Sequence, residues 1–287
     1  MPSVSVIISH YDNASAFARC VWSLQAQRYT DFVVILADDG SQTNALQPSV
    51  DALAASNLRY AVLTQPKQGF GKTRILNQAL KVADSEWVIF TDADMLLRDD
   101  WIANHVQLCQ RYGAVTGGSH INIASEQQQA LTPELVQSQQ VFAYATLCPL
   151  LLAAMRSRKT QLRLTRQRAL AAFADVLTYR RGAFSGASAS CRLEHALAIN
   201  GFDNTWGYGG LDMEFGIRLA HYGVTSHRCQ HRLVALHQDH PRAYRDETQV
   251  QQRKRALKAL KRNTAHIRSI DGVDEVAMQD IDCVAKC

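Results

Sequence analysis

The chain has 287 residues, 47% of them apolar and 20% charged, with a formal net charge of +5 at pH 7. That length supports a full core, as one large α/β domain or two small ones. A charge of +5 attracts anionic partners only weakly, and no nucleic-acid partner is expected. Met1-Pro2-Ser3 leads straight into a strand-like run, without the basic and apolar regions of a signal peptide. The longest apolar run, Val141 to Met155, contains Thr146 and Pro149. It falls short of the about 20 residues a spanning helix needs, so it reads as a buried helix, with membrane-surface contact the alternative. Seven cysteines, an odd count without a C-x-x-C, point to a reducing, cytoplasmic setting. Cys20 and Cys109 fall on apolar faces of predicted helices, whereas Cys283 and Cys287 fall in a tail expected to be disordered.

Val4 to Ser9 is a short buried-strand pattern, after which Asp12 is expected to cap a helix carrying Phe17, Cys20, Val21 and Leu24. Phe32 to Ala37 is almost wholly apolar, as in a strand buried on both faces of a parallel sheet, and it ends in Asp38-Asp39-Gly40-Ser41. Tyr60 to Leu63 is a third strand, Ile75 to Val82 lies on a helix, and Trp87 to Thr91 is a fourth strand. This alternation predicts an α/β fold with an open, doubly wound sheet. Ligands sit beyond the carboxyl ends of such strands, where both "DDGS" and "TDAD" fall, so the acidic segments are expected to share one crevice.

Asp92 and Asp94 pose a question of their own. Two carboxylates at the mouth of a buried strand repel each other unless something positive lies between them. The plain alternative is a capping Asp beside a solvated turn. "QGFGKTR", residues 68–74, invites a phosphate-loop reading, but G-x-x-x-x-G-K-[ST] requires a glycine where Pro66 stands. An ATPase is therefore a secondary reading, although a glycine-rich turn at a helix start can still help hold a phosphate.

Past about residue 125 the alternation weakens. Residues 140–181 look helical and carry Arg156, Arg158, Lys159, Arg163, Arg166 and Arg168. Such a run is a solvated face or a contact for an anionic substrate or membrane. "NGFDNTWGYGGLDMEFGIRLAHYG", residues 200–223, sets Gly207, Gly209 and Gly210 around Trp206 and Tyr208, and Asp212 and Glu214 then open a helix. Glycines allow close backbone approach to a ligand, and rings with a carboxylate suit a sugar. An acidic first helical turn meeting the helix dipole is the alternative. From Arg253-Lys254-Arg255 onward the pattern is a basic helix and then a polar tail.

Four ordered segments carry a family resemblance. "VSVIISHYDNASAFARCVWSLQAQRYTDFVVILADDGS" resembles the opening of family 2 glycosyltransferases of the GT-A fold, "FGKTRILNQAL" their glycine-Arg-Asn helix start, and "VIFTDADM" their D-x-D segment. "WGYGGLDMEF" is similar to the W-G-W-G-G-E-D motif of the galactosyltransferase-type C-terminal region, with Leu211 where the family has Glu. The resemblance covers roughly residues 3 to 245. It implies a GT-A, Rossmann-like mixed sheet flanked by helices, with a helical C-terminal extension. Residues 1–125 would form the nucleotide-sugar half, 126–250 the acceptor and catalytic half, and 251–287 a basic helix and tail.

The resemblance also implies roles. Ser9, Tyr11, Asp38 or Asp39, Arg74 and Asp92 would hold the donor nucleotide. Asp94, with Asp92, would reach Mn²⁺ or Mg²⁺ bridging the diphosphate, since hard carboxylate oxygens suit such cations. His237 or His240 would complete that site, His237 being favoured by its place in the motif. Asp212 would be the general base of an inverting transfer. Trp206, Tyr208, Gly209 and Gly210 would shape the acceptor or sugar pocket, supported by Glu214. The expected activity is transfer of a sugar from a nucleotide-diphospho-sugar, UDP-linked, to a hydroxyl of a glycan or similar acceptor, with peripheral membrane contact at the inner face. A non-catalytic sugar-nucleotide or glycan-binding module of the same fold is the alternative.

Overall fold

The computed structural model describes residues 3–118, 120–179, 184–240, 247–277 and 282–286. The apolar runs seen in the sequence become β1 (Val4–His10), β2 (Phe32–Asp38), β3 (Tyr60–Thr64) and β4 (Trp87–Asp92). Between them run the helices α1 (Ala14–Gln25), α2 (Thr43–Ala54) and α3 (Lys72–Val82). Next come β5 (Met95–Leu97), α4 (Trp101–Tyr112), β6 (Ala114–Thr116) and β7 (Ile121–Ile123). Short helices α5 (Pro133–Gln137), α6 (Tyr144–Leu147), α7 (Arg158–Arg163) and α8 (Arg168–Leu177) follow. The remainder is β8 (Ala189–Arg192), α9 (Leu193–Ala198), α10 (Leu211–His221), β9 (Ser226–Arg228), β10 (Ala235–Gln238), α11 (Glu247–Arg262) and β11 (Asp282–Lys286).

The main sheet has the order β11-β3-β2-β1-β4-β8-β6-β9, and a small sheet has the order β5-β10-β7. Strands β3, β2, β1 and β4 are parallel, and β8 joins β4 and β6 antiparallel. This is the doubly wound mixed sheet expected from the alternation. Its parallel centre is apolar on both faces. Val4, Val6 and Ile8 pack with Phe17, Cys20, Val21 and Leu24 of α1, while Ile7 points the other way onto Ile75, Ala79 and Leu80 of α3. Period-two alternation with both faces covered explains why these strands read as unbroken apolar runs. Strands β8 and β9 bring residues from beyond position 126 into the same sheet, so both halves of the chain share it.

Three local expectations are corrected. Asp12 does not cap α1: the helix follows Asn13, and the Asp12 carboxylate instead accepts from the Gln42 backbone N–H at 3.0 Å. The 141–155 run is not one helix. It breaks into α6 and 3-10 turns at 140–142, 148–150 and 153–155, with Pro149 in a first turn where its missing N–H does no harm. Val141, Phe142, Leu147 and Leu151 pack instead with Ile121, Ile123 and Leu236 beneath the small sheet. The tail expected to be disordered supplies β11, antiparallel to the β3 edge with Cys283 in register with Leu63. Cys287 and residues 180–181 of the expected helical stretch lie outside the described residues. Among the described residues no helix is long and apolar enough to cross a membrane.

Candidate active site

A cleft of about 700 Å³ opens at the carboxyl ends of β1 and β4, and both acidic segments contribute to its lining. Register explains the convergence. On one side of β1, Ser9 lies opposite Asp92, and on the other His10 lies opposite Asp38.

Asp38 and Asp39 part company there. Asp38 is buried and accepts from His10 Nδ1 at 2.7 Å, Ser41 Oγ at 2.5 Å and Thr64 Oγ1 at 3.0 Å. Burial alone would raise its pKa, but the hydrogen bonds from His10 and Ser41 pull it below the usual carboxylate value. It braces the strand ends and is not part of the cleft lining. Asp39 lines the cleft and accepts from Gln65 Nε2 at 2.7 Å, Lys67 Nζ at 2.9 Å and the Gly71 N–H at 3.0 Å. A Cβ at position 71 would collide with the Asp39 and Gln65 side chains, so this approach requires glycine. Tyr11 also lines the cleft, with Lys67 Nζ 3.8 Å above its ring.

Asp92 ends β4 and accepts from Ser9 Oγ at 2.5 Å and Lys72 Nζ at 2.6 Å. Burial would lower the Lys72 pKa, but the charges of Asp92 and Asp212 raise it. The ammonium thus stays charged between two carboxylates. Arg74, expected beside the nucleotide, is exposed and outside the cleft lining, because two residues along a helix turn its side chain away. Lys72, set aside with the phosphate-loop reading, takes the central position. Its place at the first residue of α3, directly after Gly71, was the available signal.

Asp94 lies in the turn between β4 and β5. Because β5 pairs with β10, with Met95 opposite His237, that turn meets the histidines. Asp94 Oδ2 is 3.0 Å from His240 Nε2 and 3.4 Å from His237 Nε2. One ligand atom from each of the three residues lies within 4.8 Å of the others. Burial would raise the Asp94 pKa, but hydrogen bonding and charge from His237 and His240 draw it well below the carboxylate range. Asp94 Oδ1 and His237 Nδ1 are buried without a hydrogen-bond partner among the described residues. A carboxylate and two imidazoles gathered in this way fit a divalent cation such as Mn²⁺. Sequence reasoning treated His237 and His240 as alternatives, and the geometry groups both with Asp94. It missed His120, which lines the cleft 5.7 Å from the His237 ring and whose pKa burial lowers to about 4. Only the pairing of β7 with β10 reveals it.

Tyr208, Gly209, Gly210 and Asp212 line the same cleft. Tyr208 meets Phe70 edge-on with centroids 5.7 Å apart. Burial pushes the Asp212 carboxyl up; Lys72 opposes the shift and Asp92 adds to it. Asp212 Oδ1 is buried without a hydrogen-bond partner among the described residues, and a Cβ on Gly186 would stand 2.6 Å from it. Two expected pocket residues lie outside the lining. Trp206 Nε1 donates to the Gly209 carbonyl at 3.1 Å and its ring faces Arg253, so it braces the turn from behind. Glu214 is buried in a bidentate pair with Arg218, which in turn donates to the Ile199 and Gly201 carbonyls at 2.6 and 2.7 Å. A carboxylate two residues after Asp212 on a helix points into the core instead.

The sheet topology is that of the GT-A fold. Residues 5–184 match the profile of glycosyl transferase family 2, and the chain belongs to that family. Residues 168–240 match a profile described as the N-terminal domain of galactosyltransferase. The chain is 29% identical over 120 residues to the glycosyltransferase GlyG of Streptococcus pneumoniae, covering 42% of this chain and 39% of that protein. It is 29% identical over 153 residues to the succinoglycan biosynthesis protein ExoW of Rhizobium meliloti, covering 48% and 47%. These matches thus span less than half of either relative. In three dimensions it resembles a mannosyltransferase from Pyrobaculum calidifontis solved with GDP-Man and Mn²⁺, with a TM-score of 0.58 and 20% identity, covering 85% of this chain and 59% of that one.

Proposed function

We propose that this glycosyltransferase is inverting and metal-dependent, and moves a sugar from a nucleotide-diphospho-sugar, UDP-linked, to a hydroxyl of a glycan or related acceptor. The observation that carries this reading is the Asp94–His237–His240 cluster in one cleft that Asp212 and Asp39 also line. The GDP-Man and Mn²⁺ of the structural neighbour support the donor class and the cation. Asp39 and Tyr11 line the end proposed for the nucleoside. Asp94, His237 and His240 would hold Mn²⁺ or Mg²⁺, which when bound supplies counter-charge for the donor diphosphate. Asp92 has its charge met by Lys72 and Ser9, and so fixes the lysine rather than competing for the cation.

Asp212 takes the proton from the acceptor hydroxyl. Its burial holds the carboxyl above the ordinary pKa, and a base gains strength as its pKa rises toward the working pH. The charge of Lys72 favours the ionised carboxylate that accepts the proton. A single base acting opposite the leaving group gives inversion. Tyr208, Gly209 and Gly210 form the wall against which the acceptor or donor sugar rests. Lys72 turned onto Asp92, with Pro66 in place of a cradle glycine, supports a transferase over an ATPase. Residues 1–125 then serve mainly the donor, 126–250 the acceptor, and the setting is the cytoplasm with peripheral contact at the inner face of the membrane.

The test is turnover of labelled UDP- and GDP-sugars with Mn²⁺, with the anomeric configuration of the product read by NMR. Inverted product dependent on the cation is expected. A retained configuration, or donor binding without any transfer across an acceptor panel, would sink the reading.

A further inference from the structure

Helix α8 is turned inside out for a water-facing helix. Its small residues Ala171 and Ala174 and its carboxylate Asp175 are buried, while Phe173, Val176 and Leu177 are 60%, 68% and 70% exposed. The rotation is fixed by Asp175, which accepts from the His231 backbone N–H at 2.8 Å, the His231 ring at 3.1 Å and Arg232 Nε at 2.7 Å. Rolling the large side chains under would strip that carboxylate of its partners. Leu162, Leu170 and Tyr179 extend the exposed patch. Beside it opens a groove of about 560 Å³ with Phe142, Leu164 and Leu170 on its walls and Arg158 and Arg166 among its lining residues.

Charge selects the occupant. Between Glu134 and Asp175 the sequence has no acidic residue but has Arg156, Arg158, Lys159, Arg163, Arg166 and Arg168. Arg166 is met by Asp99 at 2.7 Å, whereas Arg158, Lys159 and Arg168 are exposed. A second copy of this chain packed face to face would set the same cations against one another. An anionic bilayer offers an apolar phase and the counter-charge together.

We propose that α8 and the cations before it dock the protein on an anionic lipid bilayer. Phe173, Val176 and Leu177 enter the boundary between headgroups and acyl chains, and Arg158, Lys159 and Arg168 meet lipid phosphates. The proposal deepens the peripheral placement above and does not depend on sugar transfer. It also gives the docking a purpose. The His231–Arg232 anchor of α8 lies a few residues before His237, so the docked face and the cleft are joined by one short segment.

The test is sedimentation of the 287-residue chain with vesicles of phosphatidylglycerol and phosphatidylcholine in equal parts, and with pure phosphatidylcholine. Wild type is expected to pellet with the anionic vesicles at low salt and to lose most of that binding near 1 M salt, where the Debye length is about 3 Å. Phe173→Ser/Val176→Ser/Leu177→Ser, which leaves the Asp175 bonds intact, should weaken binding by about tenfold or more. Arg158→Gln/Lys159→Gln/Arg168→Gln should erase the preference for anionic over neutral vesicles. Both variants should keep wild-type transfer to a free, soluble acceptor. No pelleting of wild type at low salt, or equal pelleting of the serine variant, overturns the proposal. So does a wild-type dimer in sedimentation velocity that the serine variant dissolves while vesicles stay unbound. Vesicle binding that survives alongside a complete lack of transfer would refute the transferase reading and leave the docking in place.

Discussion

Asp212→Asn and Glu214→Gln alter carboxylates two residues apart on α10 and are expected to fail in opposite ways. The Glu214 and Arg218 side chains are 2% and 0% exposed. Removing one partner of a buried ion pair costs about 3–5 kcal/mol. Gln keeps one acceptor and Arg218 keeps the Ile199 and Gly201 carbonyls, which places the loss near the low end, about 3 kcal/mol. At about 2.1 cal/mol/K per residue, unfolding this chain carries about 0.6 kcal/mol/K of entropy, so Tm should fall by about 5 °C. Assayed well below that midpoint, Glu214→Gln should keep most of its turnover.

Asp212 has the reverse signature. Its folded pKa is raised, so its contribution to stability is present below the ordinary carboxylate pKa and is lost as pH rises through the folded value. At pH 7 a neutral Asn removes that loss, and Tm should hold or rise. Transfer should fall about 10²–10⁴-fold, the usual contribution of a positioned base, with donor affinity little changed. In the wild type kcat/KM should decline on the acid side through a pKa above the ordinary carboxylate range. Differential scanning calorimetry and initial rates on both variants make the comparison. A fold-competent Glu214→Gln that loses turnover as completely as Asp212→Asn, or an Asp212→Asn that melts several degrees lower with turnover intact, would refute the assignment.

Three further outcomes are expected. Asp94→Asn, and separately EDTA on the wild type, should abolish transfer and weaken Mn²⁺ binding in calorimetry; full activity in EDTA would show that Asp94, His237 and His240 hold no required cation. His240→Ala should lower Mn²⁺ affinity while leaving donor binding measurable at high Mn²⁺, since Asp94 and His237 remain, and unchanged affinity would reduce His240 to a rim residue. Lys72→Met should lower transfer by about tenfold to a hundredfold through loss of the charge facing Asp92 and Asp212, with the acid limb of the pH profile moving to higher pH because that charge lowers the Asp212 pKa. An unmoved profile would place Lys72 outside the electrostatics of the base.

The parallel centre was legible because strands covered on both faces cannot hide their pattern. The ends of β1 to β4 fall within a residue of the sequence expectation. Local pattern failed wherever a distant residue decides the role of a near one. Asp38 and Asp39 look equivalent until His10 and Thr64 claim the first and Gln65 and Lys67 the second. Arg74 resembles a nucleotide ligand, yet the phase of α3 gives the cleft to Lys72. Glu214 looks like a catalytic carboxylate until its partner Arg218 is placed four residues on, under α10. The β11 strand carries five residues without an alternating apolar signal, and only the open β3 edge gives it a reason to form.

The charge between Asp92 and Asp94 is where those two kinds of information meet. A strand alternates sides, so carboxylates at i and i+2 on one strand would face the same way and repel. Here the chain leaves the main sheet between them. Asp92 is the last residue of β4, inside the main sheet, where its neighbour across the ladder is Ser9 and the start of α3 supplies Lys72. Asp94 belongs to the turn into β5, and β5 is zipped to β10, which brings His237 and His240. Each aspartate is thus met by its own positive or cation-binding group, Asp92 by Lys72 from α3 and Asp94 by the histidines at β10. A charged ammonium beside one and a metal-competent triad at the other let two carboxylates stand with a single residue between them. The division also predicts that losing Asp94 removes the cation while losing Asp92 frees Lys72, so Asp92→Asn should keep Mn²⁺ binding that Asp94→Asn destroys. Equal loss of Mn²⁺ affinity in both variants would mean that the two aspartates share one ion after all.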